Sequence, residues 1–266
     1  MQNTRQWRLS VAGNLIFNVA NTLDKSYFSE NGYLISTSLL NGQELLDVRD
    51  MYELFLNGKI NVGDARSDLS GLTDPFQKKE KITQIMRPSY FHPPLSTFKV
   101  YTKALQMVQN LLGEDMALDF DMLIDKSPNT NTPTPWHQDE AYWIDMEDKR
   151  AVTCWIALDD VFKENGCMWF VPRSHREEMR KHVQTGQKGA LQCEANETEA
   201  TPVSLSAGDA TFHDGRTIHY SRGNSTPFRR RALILNFRPE KMIAFERKNG
   251  FNHLGEREVR NKIALN

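Results

Sequence analysis

Along the chain, the rhythm of apolar and polar positions changes about half-way. In the first half the spacing is three and four. Between Gly42 and Leu56, the apolar side chains of Leu45, Val48, Tyr52, Phe55 and Leu56 recur on one helical face. Residues 96–112 repeat the pattern through Phe98, Tyr101, Leu105, Val108 and Leu112, with Ser96 as the expected N-cap and Gly113 as the stop. The intervening residues 67–86 are polar and charged and read as a loop or a partly helical cover. In the second half, short apolar or alternating runs take over at 117–124, 152–158, 167–171, 201–205, 210–213 and 232–237. Turn-rich pieces such as Glu164-Asn165-Gly166 and Ser206-Ala207-Gly208-Asp209 separate them. Helices followed by short strands argue against an alternating βα chain. They predict a mainly β fold with N-terminal helices and a jelly-roll core, the double-stranded β-helix. The expected organisation is one domain over 1–266: a helical scaffold to about 115, a jelly roll from about 116 to 240, and a C-terminal cover at 241–266. In that cover, Phe251-Asn252-His253 is expected to pack back.

Composition narrows the function classes. The chain is 39% hydrophobic and 25% charged with a formal net charge of -1, as in an ordinary globular protein. Lysine and arginine are scattered apart from Arg229-Arg230-Arg231, so the broad basic footprint of a nucleic-acid binder is missing. No stretch reaches the roughly 18 consecutive apolar residues of a membrane span. Residues 11–20 are interrupted by Gly13, Asn14 and Asn18, which makes a poor signal-peptide core. Cys154, Cys167 and Cys193 are odd in number and irregular in spacing, unlike a disulfide framework. The expectation is a cytoplasmic protein with a small-molecule substrate and neither a nucleic-acid nor a membrane partner. Asn196-Glu197-Thr198 fits a glycosylation pattern but carries no weight in that compartment.

The chemistry concentrates in Thr134-Pro135-Trp136-His137-Gln138-Asp139. On an extended strand, His137 and Asp139 project to the same side, because side chains alternate with period two. A second histidine, His219, follows the run at 210–213. Two imidazoles and one carboxylate on one face of a metal form the triad that suits iron(II) and leaves open positions for a co-substrate and dioxygen. A structural zinc site would instead recruit the cysteines. An isolated His-x-Asp is more often a surface histidine bonded to a nearby acid, so its company matters. The Arg229-Arg230-Arg231 run falls on the strand expected after His219, where a guanidinium fork can grip a carboxylate in bidentate fashion. Metal, open positions and such an arginine fit a short keto dicarboxylate such as 2-oxoglutarate.

Taken with further motifs, this arrangement resembles the phytanoyl-CoA dioxygenase family. His137-Gln138-Asp139, Trp155-Ile156-Ala157-Leu158, Asn165-Gly166-Cys167-Met168, Val171-Pro172-Arg173-Ser174-His175 and Ser206-Ala207-Gly208-Asp209 occur in the family's order and spacing. The resemblance implies iron(II) ligation by His137, Asp139 and His219, and 2-oxoglutarate and dioxygen as co-substrates. It implies that Arg230 pairs with the far carboxylate of 2-oxoglutarate, supported by Ser221 and Trp155. Spacing and the Arg-Ala step favour Arg230, with Arg229 as the open alternative. Lys126 falls in a segment that lines the co-substrate site in this family, although a solvated amine is the simpler reading. Tyr220 stands where the family often has glycine, which predicts less room beside the metal. The implied reaction is decarboxylation of 2-oxoglutarate to succinate and carbon dioxide, coupled to hydroxylation of an unactivated C–H bond. Desaturation or cyclisation by the same chemistry, a catalytically silent jelly-roll binding protein, and a metallohydrolase are the alternatives. Retention of Asp139 disfavours halogenation, which needs a small residue there.

Several neighbours have modest expectations. Gln138 and Glu140 should point away from the metal, and Tyr142 and Trp143 are core residues or a wall of the substrate pocket. His213 is the rival for the second histidine ligand, but its place before the Asp214-Gly215 turn suggests a structural residue at a strand end.

Overall fold

The structure is a computed structural model, and it describes residues 22–70, 80–185 and 190–254. Its helices are α1 (Thr22–Asn31), α2 (Gly42–Leu56), the single turn α3 (Pro88–Phe91), α4 (Lys99–Leu112) and α5 (Glu240–Lys248). The strands are β1 (Tyr33–Ser36), β2 (Arg66–Asp68), β3 (Ile82–Met86), β4 (Met116–Lys126), β5 (Thr134–His137), β6 (Val152–Ala157), β7 (Met168–Phe170), β8 (Val183–Gln184), β9 (Leu191–Gln192), β10 (Thr201–Val203), β11 (Ala210–Asp214), β12 (His219–Ser221) and β13 (Arg230–Pro239). A seven-stranded sheet runs in the order β1-β11-β6-β13-β4-β3-β2, a four-stranded sheet in the order β10-β7-β12-β5, and β8 pairs with β9. All these pairings are antiparallel. Two antiparallel sheets sharing an apolar interior are the expected jelly roll.

Period two along β13 explains both faces of the large sheet. Leu233, Leu235 and Phe237 join the core under the helices, together with Val48, Tyr52 and Phe55 of α2 and Val100, Ala104 and Val108 of α4. Ala232 and Ile234 belong instead to the core between the sheets, with Trp155, Phe170 and Trp136. Helix α2 starts as its sequence demands. The Asn41 side chain accepts from Glu44 N while Glu44 Oε2 accepts from Asn41 N, a capping box that satisfies otherwise orphaned amides.

Three expectations need correction. The first half is less helical than its periodicity suggests, because β1, β2 and β3 all join the large sheet. Part of the polar stretch 67–86 is therefore a strand: Ile82 to Gln84 and Ile85 are buried in β3. Residues 71–79 lie outside the described residues. Ser96 does not cap α4. It sits in a 3-10 turn at Pro93–Thr97 and its hydroxyl donates to Pro93 O at 2.8 Å. The helix begins at Lys99 after an uncapped Phe98, since Pro93-Pro94 lacks amide donors and imposes its own turn. Gly113 does end it, with φ of 127°. The tail packs back as expected: Phe251 lies against Trp143, Ile144 and Met146. Residues 255–266 lie outside the described residues. No helix among the described residues is long and apolar enough to cross a membrane.

Candidate metal centre and co-substrate site

The small sheet builds the histidine pair. In the β5–β12 ladder, His137 lies directly opposite His219, and their ring centroids are 4.2 Å apart. Directly opposed residues share a face, so the ladder itself presents both imidazoles to the gap between the sheets. His137 Nδ1 lies 2.7 Å from Pro135 O and His219 Nδ1 lies 2.8 Å from Thr217 O. A carbonyl only accepts, so each Nδ1 carries the hydrogen and each Nε2 presents a lone pair. Burial, with His137 and His213 nearby, pushes the pKa of His219 well below the usual imidazole range, which keeps it neutral and able to ligate.

Asp139 arrives differently from the expectation. Strand β5 ends at His137, and Asp139 opens a 3-10 turn at Asp139–Tyr142. Gln138 remains extended at φ -121°, ψ 132°, so the alternation that carries Asp139 to the side of His137 survives one residue beyond the ladder. Its Oδ1 lies 3.7 Å from Nε2 of both His137 and His219. Ligand atoms of the three residues all fall within 4.8 Å of one another. Burial opposes charge on this carboxyl, yet His219, His213 and His137 around it hold its pKa well below the usual range, so it stays ionised. Two neutral imidazole nitrogens and one carboxylate oxygen form a donor set that can hold iron(II). Gln138, expected to point away from the metal as a supporting or a surface residue, is fully buried. It is clamped by its Nε2 donating to Arg216 O at 2.6 Å, its Oε1 accepting from Arg180 N at 3.0 Å, and its backbone N donating to His182 Nε2 at 3.0 Å. That clamp fixes the backbone between two ligand residues.

The three arginines separate cleanly. Arg229 pairs with buried Asp125 at 2.9 Å, and Arg231 pairs with Asp159 at 2.7 Å and Glu53 at 2.9 Å. Arg230 has the parity of Ala232 and Ile234, faces between the sheets, and is 1% exposed. Its guanidinium carbon lies 5.2 Å from the Trp155 ring centroid, and among the described residues its Nε and Nη1 have no hydrogen-bond partner. Burial pushes its pKa down to about 10, which still leaves a cation at neutral pH. A buried guanidinium without a counter-ion is costly, so the residues fit a carboxylate supplied by a ligand. Arg230, Trp155, Ser221 and the triad line one cavity of about 140 Å³.

Lys126 is neither solvated nor turned to this cavity. It is fully buried, and its ammonium donates to Thr132 O, Ser221 O and Arg222 O at 3.3, 3.2 and 2.5 Å. It ties β4 to the end of β12, and burial with Arg230 nearby pushes its pKa well down. Tyr220 lines the same cavity, but its ring is turned to another aromatic. Its ring stacks on Trp136 at 4.0 Å between centroids, and its hydroxyl bonds Glu197. Tyr142 and Trp143 do line the cavity, with Met86, Phe120, Met122 and Ile124 among its apolar walls. Sequence reasoning undervalued His213. It is 1% exposed, lines the cavity, and places Nε2 3.4 Å from Asp139 Oδ2. Thr153, Asn236 and His253 on the cavity wall were not singled out as site residues. Strand register brings Thr153 and Asn236 there, and the tail packing back after α5 brings His253.

The sequence profile of the phytanoyl-CoA dioxygenase family matches residues 28–232. The chain belongs to this family. Among its relatives is a probable alpha-ketoglutarate-dependent hypophosphite dioxygenase of Stutzerimonas stutzeri, 26% identical over 79% of this chain and 76% of that protein. Human peroxisomal phytanoyl-CoA dioxygenase is 22% identical over 83% of this chain and 69% of its own. In structure, EvdO2 from Micromonospora carbonacea var. aurantiaca complexed with 2-oxoglutarate superposes with a TM-score of 0.68 at 26% identity, covering 86% of this chain and 93% of that one.

Proposed function

We propose that this member of the phytanoyl-CoA dioxygenase family is an iron(II)- and 2-oxoglutarate-dependent oxygenase that hydroxylates an unactivated C–H bond of a small molecule. One observation carries the reading. The cavity that holds three converging ligand atoms from His137, Asp139 and His219 also holds a buried Arg230 guanidinium that has no ion pair among the described residues. When bound, iron(II) and 2-oxoglutarate supply the activation of dioxygen and the oxidising equivalents, with decarboxylation of the keto acid to succinate.

The chain's own residues hold, orient and exclude. His137 Nε2, His219 Nε2 and Asp139 Oδ1 would take the metal, and the carbonyls behind each Nδ1 keep the imidazoles in the ligating tautomer. Arg230 would grip the far carboxylate of 2-oxoglutarate, its fork braced over Trp155. Buried Ser221, one turn of the alternation beyond His219, adds a hydroxyl to the same wall. Met86, Phe120, Met122, Ile124 and Trp143 present apolar surface to the substrate and keep water from the reacting carbon. The test is succinate formation by the metal-free protein supplied with iron(II), ascorbate and 2-oxoglutarate. Wild-type protein should release succinate slowly alone and faster with a substrate, and His137→Ala should abolish both. Equal succinate release by His137→Ala would overturn the proposal.

A further inference from the structure

Asp139 sits in a turn, so no ladder of the small sheet fixes its carboxylate. The two oxygens nevertheless have separate tasks. Oδ1 faces the two histidines at 3.7 Å from each Nε2. Oδ2 turns toward the large sheet, where it accepts from Thr153 Oγ1 at 2.6 Å. Thr153 is 4% exposed and in turn meets Asn236 Nδ2 at 2.9 Å. His213 Nε2 stands beside Oδ2 at 3.4 Å, too long for a strong bond. Thr153 is therefore the anchor and His213 a flanking neighbour. Register explains the grouping: Thr153 on β6 lies directly opposite His213 on β11 and directly opposite Asn236 on β13. The three stand in one row of the large sheet.

Chemistry fixes the direction of this chain. An ionised carboxylate only accepts, so the Thr153 hydroxyl must donate to it. That hydroxyl has a single hydrogen and can then only accept from Asn236, whose amide nitrogen donates. Each link is determined by the one before it, beginning at the acid.

Building on the function proposed above, we propose that Thr153, oriented by Asn236, is a positioning residue that holds Asp139 as a one-oxygen metal ligand. A carboxylate free to turn can chelate with both oxygens and occupy a coordination position that the co-substrate or dioxygen needs. Occupying Oδ2 with a short bond from the opposite sheet removes that option. It also ties the turn that carries Asp139 to the large sheet, so the small sheet's histidines and the large sheet's arginine keep one geometry.

The test uses cobalt(II), which tolerates air, titrated into the full-length metal-free protein. Three variants are compared with wild type: Thr153→Val, which keeps shape and loses the hydroxyl, Thr153→Ser, which keeps the hydroxyl, and Asn236→Leu. Thr153→Val should bind cobalt(II) about 10- to 100-fold more weakly. Its visible absorption spectrum per bound ion should also change, because two-oxygen chelation alters the coordination geometry. Thr153→Ser should restore both, and Asn236→Leu should show a smaller loss in the same direction. Thermal unfolding of the metal-free variants controls for folding. A lowered Tm with wild-type cobalt(II) affinity and absorption would make Thr153 merely structural and overturn the inference. Failure of wild-type protein to bind cobalt(II) or iron(II) would instead overturn the proposed function, and this inference with it. Where Thr153→Val does not fold, the contrast between Thr153→Ser and Asn236→Leu decides by the same two readouts.

Discussion

Asp119, Glu246 and His253 bring their ligand atoms within 4.8 Å of one another, just as His137, Asp139 and His219 do. Both groups are acid and imidazole, both are largely buried, and both reach the same cavity, since His253 lines it. They differ in what already answers the negative charge. Arg238 donates to Asp119 and to Glu246, and Arg247 bonds Asp119 and reaches Glu246 Oε2 at 3.1 Å. Two carboxylates facing two guanidinium groups are balanced, and a metal ion there would meet cations at close quarters. Around Asp139 there are the imidazoles of His137, His213 and His219 and a hydroxyl, and no guanidinium bonds it among the described residues. Distance alone does not distinguish the two groups; the donor set, two imidazoles and one carboxylate against one imidazole and two carboxylates, and the charge balance do. The second group has a different task. His253 packs on Phe120 at 4.0 Å between rings, and Arg238 lies 4.9 Å from the Trp143 ring centroid, so this ion network braces the cavity wall.

The sharpest way to break that contrast is to remove a cation from the braced group. Arg238→Met leaves Asp119 and Glu246 buried with less compensation and should cost about 3–5 kcal/mol in denaturant unfolding. Iron(II) affinity measured on the fraction that remains folded should be unchanged. An affinity that falls with stability would mean that the two groups act as one. Arg230→Leu is expected to have the opposite profile. It removes a charge that has no ion-pair partner among the described residues, so stability should hold or rise, while KM for 2-oxoglutarate rises about tenfold or more, the worth of a charge-assisted bond. An unchanged KM would assign the far carboxylate to another residue.

Acidity gives a smaller and graded test. Burial opposes ionisation of Asp119 and Glu246, but His253, Arg238 and Arg247 more than offset it for Asp119, as His253 and Arg238 do for Glu246, and both carboxyls sit below their ordinary range. A depressed folded-state pKa contributes stability that is present above the unfolded value of about 4 and lost as pH falls below it. Unfolding free energy of the metal-free protein should therefore decline below about pH 4, and Asp119→Asn should flatten that slope. An unaltered slope in the variant would place the acid-labile charge elsewhere.

Much of the candidate site was legible in the sequence, and the reasons are local. Period two across Gln138 was enough to pair His137 with Asp139, whereas spacing left Arg229 open beside Arg230, and it is the ion pairs of Arg229 with Asp125 and of Arg231 with Asp159 that separate the three. What escaped depends on distant partners. Strand β3 contains buried Gln84 and follows a polar stretch, so no apolar run marked it. Lys126 looked solvated because a lysine's partners, here three backbone carbonyls from other segments, leave no mark in its own neighbourhood. Thr153, His213 and Asn236 come together through register across three strands, which no spacing in the chain encodes.

Counting iron tests the central claim most directly. Anaerobic titration of iron(II) into metal-free protein should reach one equivalent in wild type, near zero in His219→Ala, and one again in Glu246→Gln. A full equivalent retained by His219→Ala, or one lost in folded Glu246→Gln, would place the metal at the wrong group of acids and imidazoles and contradict the account.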